Sequence, residues 1–331
     1  MVGPVILVVG GAGYIGSRTC RALADEGFQP LTYDNLSRGH KEFVRWGPLQ
    51  VGDILDRDLL RSTISTHRPV ACIHFAAFAY VGESMAQPAL YYRNNVVGSL
   101  NVAEALLESG CDKLVFSSTC ATYGQPLHIP ITEDTVQVPV NPYGRSKMMV
   151  EQILRDLGAA ANLKSIMLRY FNACGAHEDG SVGEAHDPEF HLVPRAIMAA
   201  LGIIPRVDIF GTDYPTRDGT AVRDYIHISD LARAHVLSVR RLLSGSTSDV
   251  FNLGIGRGYS VREVIRSVEE VSGRKVPLQE GPRRIGDPSE LIADPNKANR
   301  DLNFDPAYKD LGEMVETAWR WHSARPIGPF S

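Results

Sequence analysis

The feature that most constrains the fold is a buried strand that leads directly into a glycine-rich turn. The run Val5–Val9 is aliphatic throughout, as in a strand that is covered on both faces. The turn reads Gly-Gly-Ala-Gly-Tyr-Ile-Gly and precedes a segment of helical character, Ser17–Glu26. Gly10 permits a tight turn, Gly13 lets the backbone approach a pyrophosphate, and Gly16 allows close contact between helix and strand. Strand, glycine turn and helix in this order predict a dinucleotide-binding βαβ unit.

The second predicted strand ends in a carboxylate that bears on the choice of cofactor. Pro30–Tyr33 is followed by Asp34, 18 residues after Gly16. A carboxylate at this place binds both ribose hydroxyls of an adenosine and repels a 2′-phosphate, which favours NAD over NADP. Two alternatives stay open, because Asp34 also suits a turn and Arg38 also suits NADP.

Further short strands alternate with helical segments through the first half of the chain. Gln50-Val51 precedes Asp53, a candidate acceptor for the adenine amino group, and Val70–Phe75 leads into small residues. A long helical segment follows Pro88, and the next strand is Leu114–Phe116. This alternation predicts a doubly wound parallel α/β sheet whose ligands bind at the carboxyl ends of the strands.

Hydroxyl groups and a Tyr–Lys pair follow that last strand. The hydroxyls of Ser117–Tyr123 are placed either to bind a substrate oxygen or to satisfy the backbone of a loop. Pro142 begins a helix with an apolar pattern, which puts Tyr143 and Lys147 four residues apart on one face. The ammonium is expected to lower the tyrosine pKa from about 10 and so create a proton-transfer pair. The alternative is an ordinary solvated helix face.

Composition restricts the class of protein. Hydrophobic residues make up 44% and charged residues 22% of the 331 residues, as in a soluble globular protein. The net charge of −4 does not support a nucleic-acid or membrane partner, and no run approaches the roughly 20 apolar residues of a membrane span. The five cysteines form no C-x-x-C pair, which argues against a disulfide framework and a zinc site, and no metal site is predicted. No basic segment precedes the apolar run at the start, so we expect a cytoplasmic protein.

Together these motifs resemble the extended short-chain dehydrogenase/reductase family along nearly the whole chain, and within it the enzymes that act on C4 of UDP-sugars. The stretches that carry the finer resemblance are Val81–Ser84, Tyr91–Asn95, Leu168–Asn172, Gly211–Thr220, Val222–His227 and Phe251–Gly254. The resemblance implies a Rossmann-type NAD-binding domain over residues 1–172 with parts of 225–255. It also implies a smaller C-terminal UDP-sugar-binding domain over residues 173–331.

The resemblance implies a reaction as well. Tyr143 would take the proton of the sugar 4-hydroxyl while the C4 hydride passes to a tightly bound NAD. Thr119 would form a hydrogen bond with O4, and Lys147 would hold the nicotinamide ribose. The 4-keto sugar would turn over and take the hydride back on its other face, which interconverts UDP-galactose and UDP-glucose. The implied cofactor-binding residues are Gly10, Gly13, Tyr14, Ile15, Gly16, Asp34, Asn35, Asp53, Ile54, Phe75, Ala76, Ala77, Asn94, Ser117, Tyr143, Lys147 and Tyr170.

The implied substrate site lies mainly in the second half of the chain. Arg223 and Arg284 would pair with the diphosphate, although surface salt bridges are an alternative role for both. Asp287 would bind the ribose, and Leu291 lies where side-chain size controls acceptance of N-acetylated sugars, so that sugars without this group are preferred. The implied substrate-binding residues are Thr119, Tyr143, Phe171, Asn172, His191, Leu192, Ile209, Phe210, Arg223, Arg284, Asp287 and Leu291.

Four positions depart from related patterns. Ala79 stands where many members have lysine, and His191 where asparagine is usual. Cys120 and Ala121 stand where dehydratases and decarboxylases of this fold carry carboxyl groups, which favours epimerisation. Two further hypotheses stay open: a 4-epimerase of UDP-xylose and UDP-arabinose or of many UDP-sugars, and a non-catalytic NAD-binding scaffold.

By resemblance, the protein forms a homodimer through helices over Pro88–Ser109 and Asn141–Leu157. In the second half, Ser229-Asp230 is predicted to cap a helix. Val261–Val271 and Leu311–Trp319 are also predicted to be helical.

Overall fold

The computed structural model describes residues 3–284 and 286–324, so the outer limits of the two predicted domains, 1 and 331, lie outside the described residues. The strands are β1 Val5–Val9, β2 Gln29–Asp34, β3 Leu49–Val51, β4 Ala71–His74, β5 Lys113–Thr119, β6 Lys164–Tyr170, β7 Asn172–Cys174, β8 Val207–Phe210, β9 Val222–His227, β10 Asp249–Leu253, β11 Gly258–Ser260, β12 Leu278–Gly281 and β13 Glu290–Leu291. The helices are α1 Tyr14–Asp25, α2 Arg57–His67, α3 Val81–Ala86, α4 Pro88–Tyr91, α5 Gly98–Glu108, α6 Pro142–Ala161, α7 Leu192–Ala200, α8 Ile228–Leu243, α9 Val261–Ser272, α10 Asn296–Asp301 and α11 Leu311–Ser323. There are also short 3₁₀ helices at Lys41–Phe43 and Cys120–Thr122 and a π-helix at Tyr92–Val97.

The largest sheet has seven parallel strands in the order β10-β6-β5-β4-β1-β2-β3. Val9, the last residue of β1, pairs with Tyr33 on one side and with His74 on the other, so the carboxyl ends of these strands lie together. The strand order changes direction between β1 and β4, which opens a crevice at that edge. The predicted doubly wound parallel α/β sheet is confirmed.

Helices cover both faces of this sheet because side chains alternate along each strand. In β1, Ile6 and Val8 pack in a cluster with α1 and α8, whereas Leu7 and Val9 pack in a cluster with α2, α5 and α6. All four side chains are fully buried. Such burial contributes roughly 1.5–3 kcal/mol for each aliphatic side chain. It therefore stabilises β1 in the sheet and so positions the glycine turn that follows this strand.

A smaller region forms the other side of the crevice. Here β9 pairs with β7, β11 and β13, β8 pairs with β12, and α7, α9 and α11 enclose a separate core. Between these elements the chain returns to the large sheet, where α8 packs on the same face as α1 and β10 is the outer strand. The predicted first domain therefore has to include the segment 228–253 in addition to the residues before the division near residue 172. The domain limits stay a prediction.

The start of α8 differs from the sequence prediction. The helix begins at Ile228, and the side chain of His227 accepts a hydrogen bond from the backbone N–H of Ser229 at 3.2 Å. The Asp230 carboxylate instead accepts two backbone N–H groups from the loop before α11, at 2.8 and 2.9 Å. The predicted cap is wrong because β9 runs into α8 without a turn, so the last strand residue acts as the cap. The other two predicted helices are confirmed as α9 and α11.

The long helix predicted after Pro88 is interrupted by the π-helix, which the apolar pattern did not indicate. Asn95 lies in this wider turn, and its carboxamide accepts a hydrogen bond from Phe78 N at 2.9 Å. The same group donates to Phe78 O at 3.0 Å and to Ser146 Oγ at 3.1 Å. π turns often occur at functional sites, and this one ties α6 to the loop that follows β4.

The cysteines are all buried and free. In the part of the chain that the structure describes, no helix has the length and apolar character needed to cross a membrane.

Candidate active site

A cavity of about 880 Å³ lies at the carboxyl edge of the seven-stranded sheet, between that sheet and the smaller region. Its walls come from the glycine turn, the ends of β2, β4 and β5, the start of α6, and segments around residues 184–195 and 284–291. A crevice at the point where strand order reverses is the usual ligand site of such sheets. The elements that carry the sequence motifs therefore meet at one place.

The glycine turn leaves the start of α1 open for an anion. Gly10 has a φ of +83°, and a Cβ built on it would lie 2.5 Å from Ala76 N. A Cβ on Gly16 would lie 2.2 Å from Gly10 O, whereas one on Gly13 would have no atom nearer than 3.5 Å. The first turn of α1 has no side-chain cap and no acidic residue. Its free N–H groups and helix dipole suit the phosphates of a dinucleotide.

The carboxylates at the ends of β2 and β3 differ in position. Asp34 lines the cavity, and its two oxygens accept backbone hydrogen bonds from Ala12 at 3.0 Å and Leu36 at 2.8 Å. Burial raises the pKa of Asp34, against the effect of these bonds. Asp53 does not line the cavity, and its side chain accepts a hydrogen bond from Asn35 Nδ2 at 2.8 Å. The structure therefore brings Asp34, but not Asp53, to the cavity.

Tyr143 and Thr119 meet where β5 ends and α6 begins. The Asn141 side chain caps α6 by accepting a bond from Gly144 N at 2.8 Å, which fixes the first helical turn against the sheet edge. Burial raises the pKa of Tyr143, whereas a hydrogen bond with Thr119 acts in the opposite direction. Lys147 Nζ lies in the same wall but donates to the carbonyl of Ser117 at 2.7 Å. The predicted lowering of the Tyr143 pKa by Lys147 is therefore not found among these side chains.

Lys147 is itself strongly affected by its surroundings. Its side chain is buried, and burial lowers its pKa to about 7, against the opposing charge of Glu151. A buried cation in a cavity wall that makes no direct ion pair is typical of a functional group. Ser117, which fixes Lys147 through its carbonyl, also shares a side-chain hydrogen bond with Tyr170.

The opposite wall carries the arginines predicted to bind a diphosphate. Arg223 pairs with Asp287 and donates to Val222 O at 2.7 Å, and the Arg284 guanidinium lies 4.3 Å from the centroid of the Phe210 ring. Both arginines line the cavity, where Arg223 is half-buried and Arg284 is exposed. The grouping favours a role in the cavity over the alternative of a surface salt bridge.

Two other predictions for this wall have different outcomes. Leu291 lies on the wall and packs with Cys120 and Phe171. Ile209 is fully buried in the core of the smaller region and does not line the cavity, whereas its neighbour Phe210 does. Successive residues of β8 point to opposite sides, so only one of the two can reach the ligand space.

The other predicted site residues line the cavity, although their binding roles stay predictions. They are Gly10, Gly13, Tyr14, Ile15, Gly16, Asn35, Ile54, Phe75, Ala76, Ala77, Asn94, Ser117, Tyr170, Asn172, His191 and Leu192.

Sequence reasoning missed a cation beside Ala79. The Arg38 guanidinium lies 5.2 Å from the ring centroid of Phe78 and 5.1 Å from that of Tyr80, and it pairs with Glu83 at 2.7 Å. Arg38 and Ala79 both line the cavity. The Arg38 guanidinium thus supplies a positive charge near Ala79, the position where many family members carry a lysine.

Sequence reasoning also missed a cluster of imidazoles and carboxylates in the loop before α7. Glu184, His186 and His191 line the cavity, and Glu189 lies against them. Burial disfavours charge on His186, yet the neighbouring carboxylates outweigh it and raise its pKa to about 9. The close spacing of these four residues, at intervals of two, three and two positions, was the available signal.

Comparison with known proteins identifies a family and several relatives that this chain resembles. The family described as NAD dependent epimerase/dehydratase matches residues 6–254. A UDP-glucose 4-epimerase of Rhizobium meliloti is 52% identical over 323 residues, 98% of each chain. The crystal structure of a UDP-glucose 4-epimerase from Brucella ovis in complex with NAD is 50% identical, with a TM-score of 0.94 over 96% of this chain and 98% of that one. The same enzyme from Bifidobacterium longum, in complex with NAD⁺ and UDP, is 36% identical, with a TM-score of 0.93 over 98% and 99% of the two chains.

Proposed function

Because the chain belongs to the NAD dependent epimerase/dehydratase family, we propose that it interconverts UDP-galactose and UDP-glucose through transient oxidation at C4 of the sugar. NAD is the cofactor and a UDP-sugar is the substrate. The observation that carries the proposal is the meeting of Tyr143, Thr119 and Lys147 in the wall of the cavity that the glycine turn also lines.

The residues present fit NAD. The uncapped start of α1 suits its diphosphate, and Gly10 and Gly16 leave no space for a side chain. Asp34 presents a carboxylate at the end of β2, which accepts ribose hydroxyls and repels a 2′-phosphate.

The side chains of the protein transfer one proton to and from the sugar. Bound NAD supplies the hydride acceptor and, in its oxidised form, a positive charge. As a phenolate, Tyr143 accepts the proton of the sugar O4, and as a phenol it returns that proton. The bond with Thr119 stabilises the phenolate against the effect of burial, and Lys147 holds a cation in the same wall.

The residues next to Thr119 favour epimerisation over elimination. Removal of water or carbon dioxide from a nucleotide sugar needs a further acid or base near C5 and C6. Cys120 and Ala121 line the cavity at this place, and burial raises the pKa of Cys120 to about 12, so its thiol stays neutral. The 4-keto sugar therefore has no protein carboxyl group at these two positions to divert it.

Arg223 and Arg284 anchor the UDP while the sugar turns over. Forked guanidinium groups suit a diphosphate, and the binding energy of UDP keeps the mobile ketone from escaping. The sugar pocket is narrowed by Leu291, which packs with Phe171. An N-acetyl group needs space that this leucine occupies, so sugars without it are preferred.

We also propose a homodimer formed through α4, α5 and α6. Leu90, Val97 and Met149, on these helices and the π turn between them, are 37%, 48% and 44% exposed. Apolar side chains with this exposure support an interface. The cytoplasmic location stays a prediction from composition.

The test is a side-by-side assay of UDP-galactose, UDP-GlcNAc and UDP-xylose, together with identification of the nucleotide that the denatured protein releases. We expect NAD in the released fraction and the highest rate on UDP-galactose. Tyr143→Phe should lower kcat by about 10²–10⁴-fold because the proton has no acceptor. Tyr308→Phe, outside the cavity, is the matched control.

Three results would contradict parts of the proposal. Full activity of the Tyr143 variant would contradict the proposed mechanism. Equal rates on UDP-GlcNAc and UDP-galactose would contradict the proposed role of Leu291. A faster rate on UDP-xylose would instead support the pentose alternative.

A further inference from the structure

The loop between β7 and α7 brings two imidazoles and two carboxylates to one point. Glu184, His186, Glu189 and His191 each offer one donor atom, and these atoms all lie within 4.8 Å of one another. Both carboxylates are buried, at 6% and 7% exposure, beside the cavity. Such a set differs from an ordinary surface charge cluster because it combines nitrogen and oxygen donors and faces inward.

The spacing of the donor atoms is compatible with a four-coordinate metal ion. His191 Nδ1 lies 2.7 Å from a Glu184 oxygen and 2.9 Å from a Glu189 oxygen. His186 Nδ1 lies 3.2 Å and 3.5 Å from oxygens of the same two residues. Tetrahedral zinc with bonds of about 2.0–2.1 Å separates neighbouring ligand atoms by roughly 3.3 Å. This value falls within the range of the four separations, and the remaining pairs of donor atoms lie within 4.8 Å.

Hydrogen bonds within the cluster leave one of its donor atoms without a partner of good geometry. His186 Nδ1 is buried and has no hydrogen-bond partner of good geometry, although oxygens of Glu184 and Glu189 lie 3.2 and 3.5 Å from it. An ion at the centre of the set would replace the proton on this nitrogen and bind the lone pair that is freed.

Contacts outside the cluster hold two of the donors in place. Glu189 Oε1 accepts the backbone N–H groups of Phe190 and His191, each at 2.8 Å, and the Glu184 carbonyl accepts Trp321 Nε1 at 2.8 Å. Outer bonds of this kind orient the ligands of metal sites.

We propose that Glu184, His186, Glu189 and His191 bind one divalent transition-metal ion. Imidazole nitrogens select zinc and its neighbours over magnesium and calcium, which prefer oxygen ligands throughout. Two carboxylates balance the charge of a divalent ion, which makes burial of the set less costly. This site goes beyond the predicted absence of a metal, which rested on the cysteines and did not weigh histidine with glutamate.

The site fastens the loop before α7 against the cofactor side of the cavity. The His186 ring lies 6.3 Å from the ring of Tyr14, in the glycine turn, and 5.8 Å from that of Tyr80. Three of the four ligands line the cavity. Because His191 faces the cluster through Nδ1, its Nε2 remains available for the nucleotide contact predicted from sequence.

The experiment titrates Zn²⁺ into the full chain after dialysis against a chelator, with no UDP-sugar added. We expect one Zn²⁺ per chain, a visible tetrahedral spectrum with Co²⁺, and no competition from Mg²⁺ or Ca²⁺. His186→Gln and Glu189→Gln should each weaken Zn²⁺ binding at least tenfold. His67→Gln, the same change at an exposed histidine of α2, should leave binding unchanged.

Thermal unfolding gives a second readout that does not depend on enzyme activity. Zn²⁺ at 100 times its Kd should raise the Tm by about 4 °C in the parent and in His67→Gln, and by much less in Glu189→Gln. Equal Zn²⁺ binding by all variants, or no binding by the parent, would overturn the proposal and leave the cluster as protonated imidazoles paired with carboxylates. The proposed epimerase activity stands or falls separately, because neither readout uses it.

Discussion

Two charged residues one turn apart on α6 are both buried, but only one of them makes a hydrogen-bonded ion pair. Glu151 accepts bonds from Arg169 Nε and Nη2 at 2.9 and 2.6 Å and from Ser118 Oγ at 2.5 Å. Lys147 instead donates to a neutral carbonyl, that of Ser117. The first residue lies behind the cavity wall and the second in it.

The difference separates a structural charge from a functional one. Burial favours the neutral form of Glu151, but the bonds and charge of Arg169 outweigh it and hold the pKa of that carboxyl below its usual value. Nothing comparable compensates Lys147, so burial lowers its pKa to about 7. A satisfied ion pair fixes α6 against β6, whereas the uncompensated ammonium keeps its electrostatic capacity for a ligand.

The largest effect should come from breaking the paired charge. Glu151→Gln leaves the Arg169 guanidinium buried without a carboxylate, and we expect the free energy of unfolding to fall by about 3–5 kcal/mol. Urea unfolding at neutral pH measures it. The double variant Glu151→Leu with Arg169→Met should recover most of the loss, because it removes both charges. A loss below about 1 kcal/mol for the single variant would mean that the pair is not a structural unit.

Removing the unpaired charge should have the opposite sign for stability. Lys147→Met abolishes a buried cation, and after loss of the Ser117 bond we expect a net gain of about 1–3 kcal/mol at or below pH 7. Epimerase activity should nevertheless fall by about 10²-fold or more.

The pH dependence of this gain follows from the direction of the shift. The folded pKa of Lys147, about 7, lies below the unfolded value of about 10.5, so the unfolded chain binds more protons between these values. Parental stability therefore rises across that window, and the advantage of Lys147→Met shrinks from pH 7 towards pH 10. Lys275→Met, at a side chain that is 91% exposed, should show no such trend. A gain that is independent of pH would contradict burial as its cause.

The smallest effect should come from the outer partner of Glu151. Arg155 lies 3.1 Å from the Glu151 carboxylate, but its side chain is 40% exposed. We expect Arg155→Ala to cost about 0–1 kcal/mol and the cost to vanish at high salt. A cost close to that of Glu151→Gln would show that both arginines share the structural role.

The same contrast explains what sequence could predict. The glycine turn and the Tyr143–Lys147 spacing depend on neighbours in the chain, so local pattern was sufficient to identify each motif. Their common site was implied by the family resemblance. The pairing of Glu151 with Arg169 joins a helix to a strand, and no periodicity in the sequence indicates such a contact. The cap of α8 at His227 and the π turn at Asn95 depend on what packs against each segment.

Alternation along a strand explains one further difference. Ile209 and Phe210 are adjacent in sequence and both apolar, yet only Phe210 reaches the cavity. Which of two neighbours faces a ligand depends on the orientation of β8, and that orientation comes from tertiary packing.

The return of α8 and β10 to the large sheet limits how this architecture can be recombined. The chain leaves the sheet after β6, returns at α8 and leaves again at β11. An exchange of everything after residue 172 between two such proteins would therefore replace the outer strand and a covering helix of the sheet itself. Variation in the residues that line the cavity is thus best accommodated in segments of the smaller region, such as β13 with Leu291, because those can change without altering the seven-stranded sheet.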